Sequence, residues 1–230
     1  MKITAFIPVR GGSKGIPGKN MRELGGKPLL HWVMQACLGT EHVDRVVVAT
    51  DSDKIAETAL QIKNPKLEIF RRSPENCTDT ASTESAMLEY AEKFSDFTHM
   101  LLVQATSPLL RKEHLHEALG NYKKSGKDSM MSFVRQFHFV WKEENDGSVT
   151  PVNYNPQKRP RRQDFNGLLV ENGAFYLTSR DRLLETRCRI SGSILPYEMP
   201  EESYFEIDSE DDWKIIDLII KKHQQDGKNA

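Results

Sequence analysis

Short apolar runs that alternate with helix-patterned segments constrain this chain more than any other feature. Ile3 to Val9 is apolar nearly throughout, and Val46 to Thr50 and Met100 to Gln104 repeat the pattern. Such runs mark strands buried on both faces, the usual setting of a parallel sheet. Leu67 to Phe70 reads as a shorter strand and Asp128 to Val134 as a further one. Between them lie helical segments. Leu29 to Leu38 sits between Pro28 and Gly39, residues suited to the first turn and the end of a helix. Lys54 to Ile62 can be capped by Asp51 or Ser52, and Ser85 to Phe94 and Lys112 to Lys124 follow. The alternation predicts an α/β fold with a doubly wound, mostly parallel sheet. With 230 residues the chain can form one sizeable domain, and residues 1–230 are read as one.

In such sheets ligands bind beyond the carboxyl ends of the strands. There, after the first strand, stands Arg10-Gly-Gly-Ser-Lys-Gly-Ile-Pro-Gly-Lys-Asn20. Its glycines let backbone N–H groups approach an anion, and Arg10, Lys14 and Lys19 supply positive charge, so the loop reads as a triphosphate cradle. Two familiar loops are excluded by spacing. A Walker A loop needs glycine five residues before Gly18, where Ser13 stands, and Ser or Thr after Lys19, where Asn20 stands. A dinucleotide fingerprint needs Gly-x-Gly-x-x-Gly, which Gly11-Gly12 followed by Gly15 does not fit. A glycine-rich surface turn with solvated lysines is the plainer alternative.

Arg-Gly-Gly-Ser-Lys-Gly-Ile-Pro-x-Lys-Asn resembles the N-terminal signature of the N-acylneuraminate cytidylyltransferases, or CMP-sialic acid synthetases. Four later stretches continue the resemblance in order: Arg72 to Thr83, Gln104-Ala-Thr-Ser-Pro108, Arg159-Pro-Arg-Arg-Gln-Asp164 with Glu171-Asn-Gly-Ala-Phe-Tyr176, and Glu206-Ile-Asp208. The family implies a nucleotide-diphospho-sugar transferase type of fold and a reaction of CTP with a sialic or related nonulosonic acid, giving the CMP-sugar and pyrophosphate. By this resemblance Arg10, Gly11, Gly12, Ser13, Lys14 and Asn20 hold nucleotide phosphates, and Arg72, Ala81 and Thr83 surround the cytosine. Lys19 and Arg162 are the catalytic cations, while Gln104, Arg161, Asn172 and Tyr176 serve the sugar.

Each of these stretches also has a plainer reading. Arg72 to Thr83 can be a polar connection, Gln104 a buried amide satisfying backbone groups, and the arginine cluster a solvated anion patch. In the last stretch Ser209 and Asp212 form a capping box, and Glu210 with Asp211 offsets the helix dipole. Glu206 and Asp208 fall outside that helix and, on a strand-like stretch, share one face suited to a hard cation. Mg2+ is therefore the expected cofactor. The family has Asp at the first of these positions, so Glu206 is a departure that lengthens the arm by one methylene. Arg189 and Ile190 stand where some bacterial members carry a Phe pair near the sugar, which leaves the particular sugar open.

Residues 136–164 break the alternation with Phe137, Phe139, Trp141, an Asn145-Asp-Gly147 turn and Pro151, Pro156 and Pro160. This predicts a β-ribbon, and the family uses an arm in this region to dimerise, so a homodimer is expected. A net charge of -1 gives no nucleic-acid footprint. Three cysteines without ligand or framework spacing, and the lack of an apolar segment of membrane-spanning length, point to a cytoplasmic protein with no membrane partner. Two rivals stay open. A CMP-Kdo synthetase shares the chemistry but has a different first loop and lacks the Arg-Pro-Arg-Arg-Gln-Asp stretch. A noncatalytic nucleotide sensor would need only the cradle.

Overall fold

The computed structural model describes residues 1–12 and 15–226. Eleven strands alternate with six α-helices: β1 (Ile3–Pro8), β2 (Glu23–Leu24), β3 (Lys27–Pro28), α1 (Leu29–Leu38), β4 (Arg45–Thr50), α2 (Asp53–Leu60), β5 (Leu67–Arg71), α3 (Thr83–Lys93), β6 (His99–Val103), α4 (Lys112–Ser125), β7 (Ser129–Gln136), β8 (Trp141–Glu143), β9 (Val149–Pro151), β10 (Leu168–Ser179), α5 (Arg180–Thr186), β11 (Ile194–Met199) and α6 (Glu210–Asp226). Seven strands form one sheet in the order β11-β7-β10-β6-β1-β4-β5. All neighbours run parallel except β10, which is antiparallel to both β6 and β7.

Side-chain alternation along β1 explains why helices cover both faces. Ile3, Ala5 and Ile7 pack in one cluster with Leu30 and Met34 of α1, Ile55 of α2 and Leu115 of α4. Phe6 points the other way, into a cluster with Met87 and Tyr90 of α3 and Leu183 of α5. Both faces exclude water, so the central strands carry little but apolar side chains.

A third cluster bears directly on the site. Trp213, Ile216 and Ile220 of α6 pack on Ile16, Leu24 and Leu29, and Ile207 joins them. This ties the glycine-rich loop after β1 to the acidic stretch before α6, although about 190 residues of chain separate them. Gly25, in the left-handed region with φ +58°, has Ile220 where a Cβ would stand, so a side chain there would push α6 away.

The capping box expected at α6 is formed. Asp212 N–H donates to Ser209 Oγ at 3.2 Å, and Ser209 N–H donates to Asp212 Oδ2 at 2.8 Å. The Ser209 hydroxyl is also the main cause that holds the Asp212 carboxyl below its ordinary value. Ser209→Ala is expected to cost about 1 kcal/mol in urea unfolding, the usual loss for a serine cap. Where the sequence pattern predicted a strand-like run at 205–208, the chain is irregular, because Ile207 is drawn into the third cluster. No helix of the described residues is long and apolar enough to cross a membrane.

Candidate active site

Loops at the carboxyl ends of β1, β5 and β6 enclose a cavity of about 410 Å³. Arg10, Gly15, Lys19 and Asn20 border it from the first loop, Arg72, Ala81 and Thr83 from the segment leading into α3, and Gln104 with Thr106 from the end of β6. Asp208 closes the side next to α6. The first loop is fixed at several points. Gly11 N–H donates to Asp51 Oδ1 at 2.8 Å, Ile16 is buried, and Gly18, at φ +66°, reverses the chain so that Met21 N–H reaches its carbonyl at 3.0 Å. A Cβ on Gly15 would lie 2.6 Å from the Asp208 carbonyl oxygen, so glycine is what allows the two loops to touch. Ser13 and Lys14 lie outside the described residues.

Three cations, Arg10 and Lys19 from the first loop and Arg72 from the segment after β5, face this space. Arg10 Nη1 pairs with Asp79 Oδ1 at 2.6 Å, an ion pair across the cavity that an anionic ligand would have to open or share. Lys19 Nζ donates to the Ile207 carbonyl at 2.7 Å and lies 3.2 Å from Asp208 Oδ1. Its side chain is only 14% exposed. Arg72 Nη2 donates to the Asn76 carbonyl, while its buried Nε has no hydrogen-bond partner among the described residues.

Glu206 is the unusual acid of the site. Its carboxyl packs against Gly173, where β10 shifts register against β7 between Glu171 and Tyr176. Gly173 has φ +65°, and a Cβ there would stand 2.6 Å from Glu206 Oε1, so the irregularity and the glycine together make room for this side chain. Burial first, and then the neighbouring Asp208 charge, push the Glu206 carboxyl up to about 7. The Thr106 hydroxyl donates to its Oε2 at 3.5 Å. Two carboxylates next to a hydroxyl offer oxygen donors alone, the set a hard divalent cation selects.

Residues 4–221 match the family described as cytidylyltransferase. This chain belongs to the cytidylyltransferase family. It is 38% identical over 230 residues to N-acylneuraminate cytidylyltransferase A of Danio rerio, a match covering 99% of this chain and 53% of the relative. It is 41% identical over 221 residues to N-acylneuraminate cytidylyltransferase of Oncorhynchus mykiss, covering 95% and 50%. The chain thus spans about half the length of the curated relatives it matches. Among solved structures, CMP:2-keto-3-deoxy-manno-octonic acid synthetase complexed with CTP superposes with a TM-score of 0.68 at 18% identity, over 97% of this chain and 100% of that one. At that identity the likeness speaks for the fold alone, and it supports the α/β, mostly parallel sheet.

Not every site residue expected of a cytidylyltransferase borders the cavity. Arg161 and Arg162 are exposed, and Arg162 lines a separate cavity of about 870 Å³ with Arg135, Phe137 and Phe165. Its guanidinium lies 5.9 Å from the Phe137 ring centroid. Closeness in sequence to β10 does not carry these arginines to the nucleotide end, because they belong to a short turn on the excursion between β7 and β10. Asn172 is buried, with Nδ2 donating to the Ser203 carbonyl at 3.0 Å, which makes it a tether between β10 and the segment before Glu206. Tyr176 donates its hydroxyl to Glu171 Oε2 at 3.0 Å, and the Arg189 guanidinium lies 5.1 Å from its ring centroid. Arg189 is itself held by Glu84. Asp79 and Thr106 were missed in the sequence. Thr106 stands inside the Gln104 to Pro108 motif and could have been found there, whereas no pattern distinguishes Asp79 from an ordinary loop acid.

Proposed function

We propose that this chain activates a sialic acid or related nonulosonic acid, transferring CMP from CTP and releasing pyrophosphate. The observation that carries this reading is the joining of Arg10 and Lys19 of the first loop and Arg72 of the segment before α3 with Gln104 and Asp208 around one cavity. The names of the relatives supply the sugar class. In the reaction the anomeric hydroxyl attacks the α-phosphorus. An O–P bond forms as the hydroxyl gives up its proton, the bond from that phosphorus to the bridging oxygen breaks, and pyrophosphate leaves with the electron pair. The task of the protein is alignment and neutralisation of the charge that builds on the leaving group. Arg10 and Lys19 would pair with phosphate oxygens, with Gly11, Gly12 and Asn20 beside them. Arg72, Ala81 and Thr83 would frame the base, and Gln104 would face the sugar.

Glu206 and Asp208 would hold Mg2+, since both are oxygen donors, Asp208 borders the cavity, Glu206 lies beside Thr106, which also lines it, and Glu206 carries no ion pair among the described residues. Bound there, such a cation supplies charge stabilisation to phosphate oxygens. Pyrophosphate release by the purified chain with CTP, tested against N-acetylneuraminate, its deaminated analogue, other nonulosonates and 2-keto-3-deoxy-manno-octonate, examines the whole reading. Release with a nonulosonate is expected. Release with 2-keto-3-deoxy-manno-octonate alone would favour the rival synthetase, and no release with any acid would leave a nucleotide-binding module.

The excursion at 136–164 does form a ribbon, with β8 and β9 paired antiparallel from Trp141–Pro151 to Glu143–Val149. Val140, Trp141, Val149 and Val152 on it are exposed. Apolar exposure of this kind is suited to a second copy, so light scattering is expected to report about twice the chain mass; a monomer at micromolar concentration would remove the arm's role. Such pairing is also the route by which Arg161 and Arg162, remote from their own chain's cavity, could serve a sugar site. Arg162→Lys keeps the charge but loses the planar fork. It should impair turnover strongly while CTP binding by calorimetry is kept. Near-normal turnover would return Arg162 to a solvated patch.

A further inference from the structure

The turn between α1 and β4 sets Glu41 and His42 against α4, where His116 faces them. The His42 and His116 rings are stacked, with centroids 4.9 Å apart and planes inclined by 13°. One ring nitrogen from each and a carboxylate oxygen of Glu41 all lie within 4.8 Å of one another. Glu41 Oε1 is 3.5 Å from His116 Nδ1. His42 Nε2 lies over Gly120 of α4, one turn beyond His116, where a Cβ would meet it at 3.9 Å in ordinary contact. Beside the cluster opens a shallow cavity of about 300 Å³ lined by Glu41, Glu113 and His116, with room for water to complete a coordination shell. None of these residues borders the nucleotide cavity.

We propose that Glu41, His42 and His116 form a second cation site, selective for a borderline transition metal such as Zn2+ or Co2+ and separate from the acidic pair near the nucleotide. Two imidazole nitrogens and one carboxylate oxygen are the donor set of many three-ligand zinc sites, and imidazole selects against Mg2+. Tetrahedral ligation at 2.0 to 2.1 Å brings donors to about 3.3 Å from one another. From within 4.8 Å that closure needs only small side-chain rotations, and His116 and Glu41 are exposed and free to make them. The bound cation would clip the α1–β4 turn to α4. Lys123 opposes it: its ammonium donates to His42 Nδ1 at 2.9 Å, and it must swing away before that nitrogen can bind a metal.

Co2+ absorption of the full chain, recorded in excess Mg2+ so that the hard-cation site is filled, tests the assignment. One Co2+ per chain is expected, with the visible bands of mixed nitrogen and oxygen ligation and a raised Tm. His116→Ala, a surface change that leaves the fold alone, should weaken binding by about tenfold or more, at least the loss seen when an outer-shell partner is removed. Lys123→Gln should tighten it. A wild-type chain that shows no Co2+ bands, or bands and Tm gain unaltered in His116→Ala, overturns the site.

Discussion

Lys19→Ala is expected to lower kcat/KM for CTP by about ten- to a thousandfold, the range that follows from losing a charge-assisted contact of ~1.5 to 4 kcal/mol in a partly desolvated site. The structure explains why this lysine should matter more than a surface one. Its ammonium is held by the Ile207 carbonyl and by Asp208, and the turn from Ile16 to Met21 fixes the backbone beneath it. The charge is therefore already in place when the triphosphate arrives, and little side-chain freedom remains to be lost. Lys19 also links the two loops of the cavity, so urea unfolding should be measured beside the kinetics. A variant that unfolds earlier but keeps its CTP kinetics would make Lys19 a strut, and unaltered kinetics would remove it from the phosphate cradle.

What could be read in the sequence was whatever depends on local periodicity. The limits of α1 coincide with the residues read between Pro28 and Gly39, because both ends carry their own stop signals. The strands β1, β4 and β6 were visible because water is excluded from both of their faces. The twelve-residue strand β10 was not, since Asn172-Gly173 interrupts it with residues that mark turns elsewhere. Its insertion, antiparallel, between β7 and β6 is a long-range pairing that no local pattern reports. The same limit applies to the site. Arg10, Lys19, Arg72, Gln104 and Asp208, which motif order grouped, line one cavity, since each follows a strand end or lies beside α6. Motif order could not show that Glu206 is half-buried against Gly173, that Arg10 is already paired with Asp79, or that the arm carries Arg161 and Arg162 away from the cavity of their own chain.

Asp208→Asn is expected to abolish Mg2+-dependent turnover while leaving unfolding nearly unchanged. The side chain is exposed and keeps its size, so the fold loses little, but an amide is a poor ligand for a hard dication. Ser209→Ala, one residue on, should behave in the opposite way, losing the cap and about 1 kcal/mol while keeping activity at low temperature. Proton competition gives a second readout. Folded Glu206 holds its proton up to about pH 7, whereas the unfolded chain releases it near the ordinary value of 4.5. Without a cation, stability contributed by this group is thus present at low pH and is lost as pH rises through 7, and added Mg2+ should offset that loss. Apparent Mg2+ affinity should rise with pH across the same range, because the cation needs the ionised carboxylate. Removing the Asp208 charge lowers the Glu206 carboxyl toward its ordinary value, although burial, the larger cause, remains. The pH dependence should therefore move to lower pH in Asp208→Asn as the affinity falls. If that variant keeps Mg2+-stimulated turnover with an unchanged metal optimum, Glu206 and Asp208 do not hold the cation, and the acidic stretch serves only to start α6.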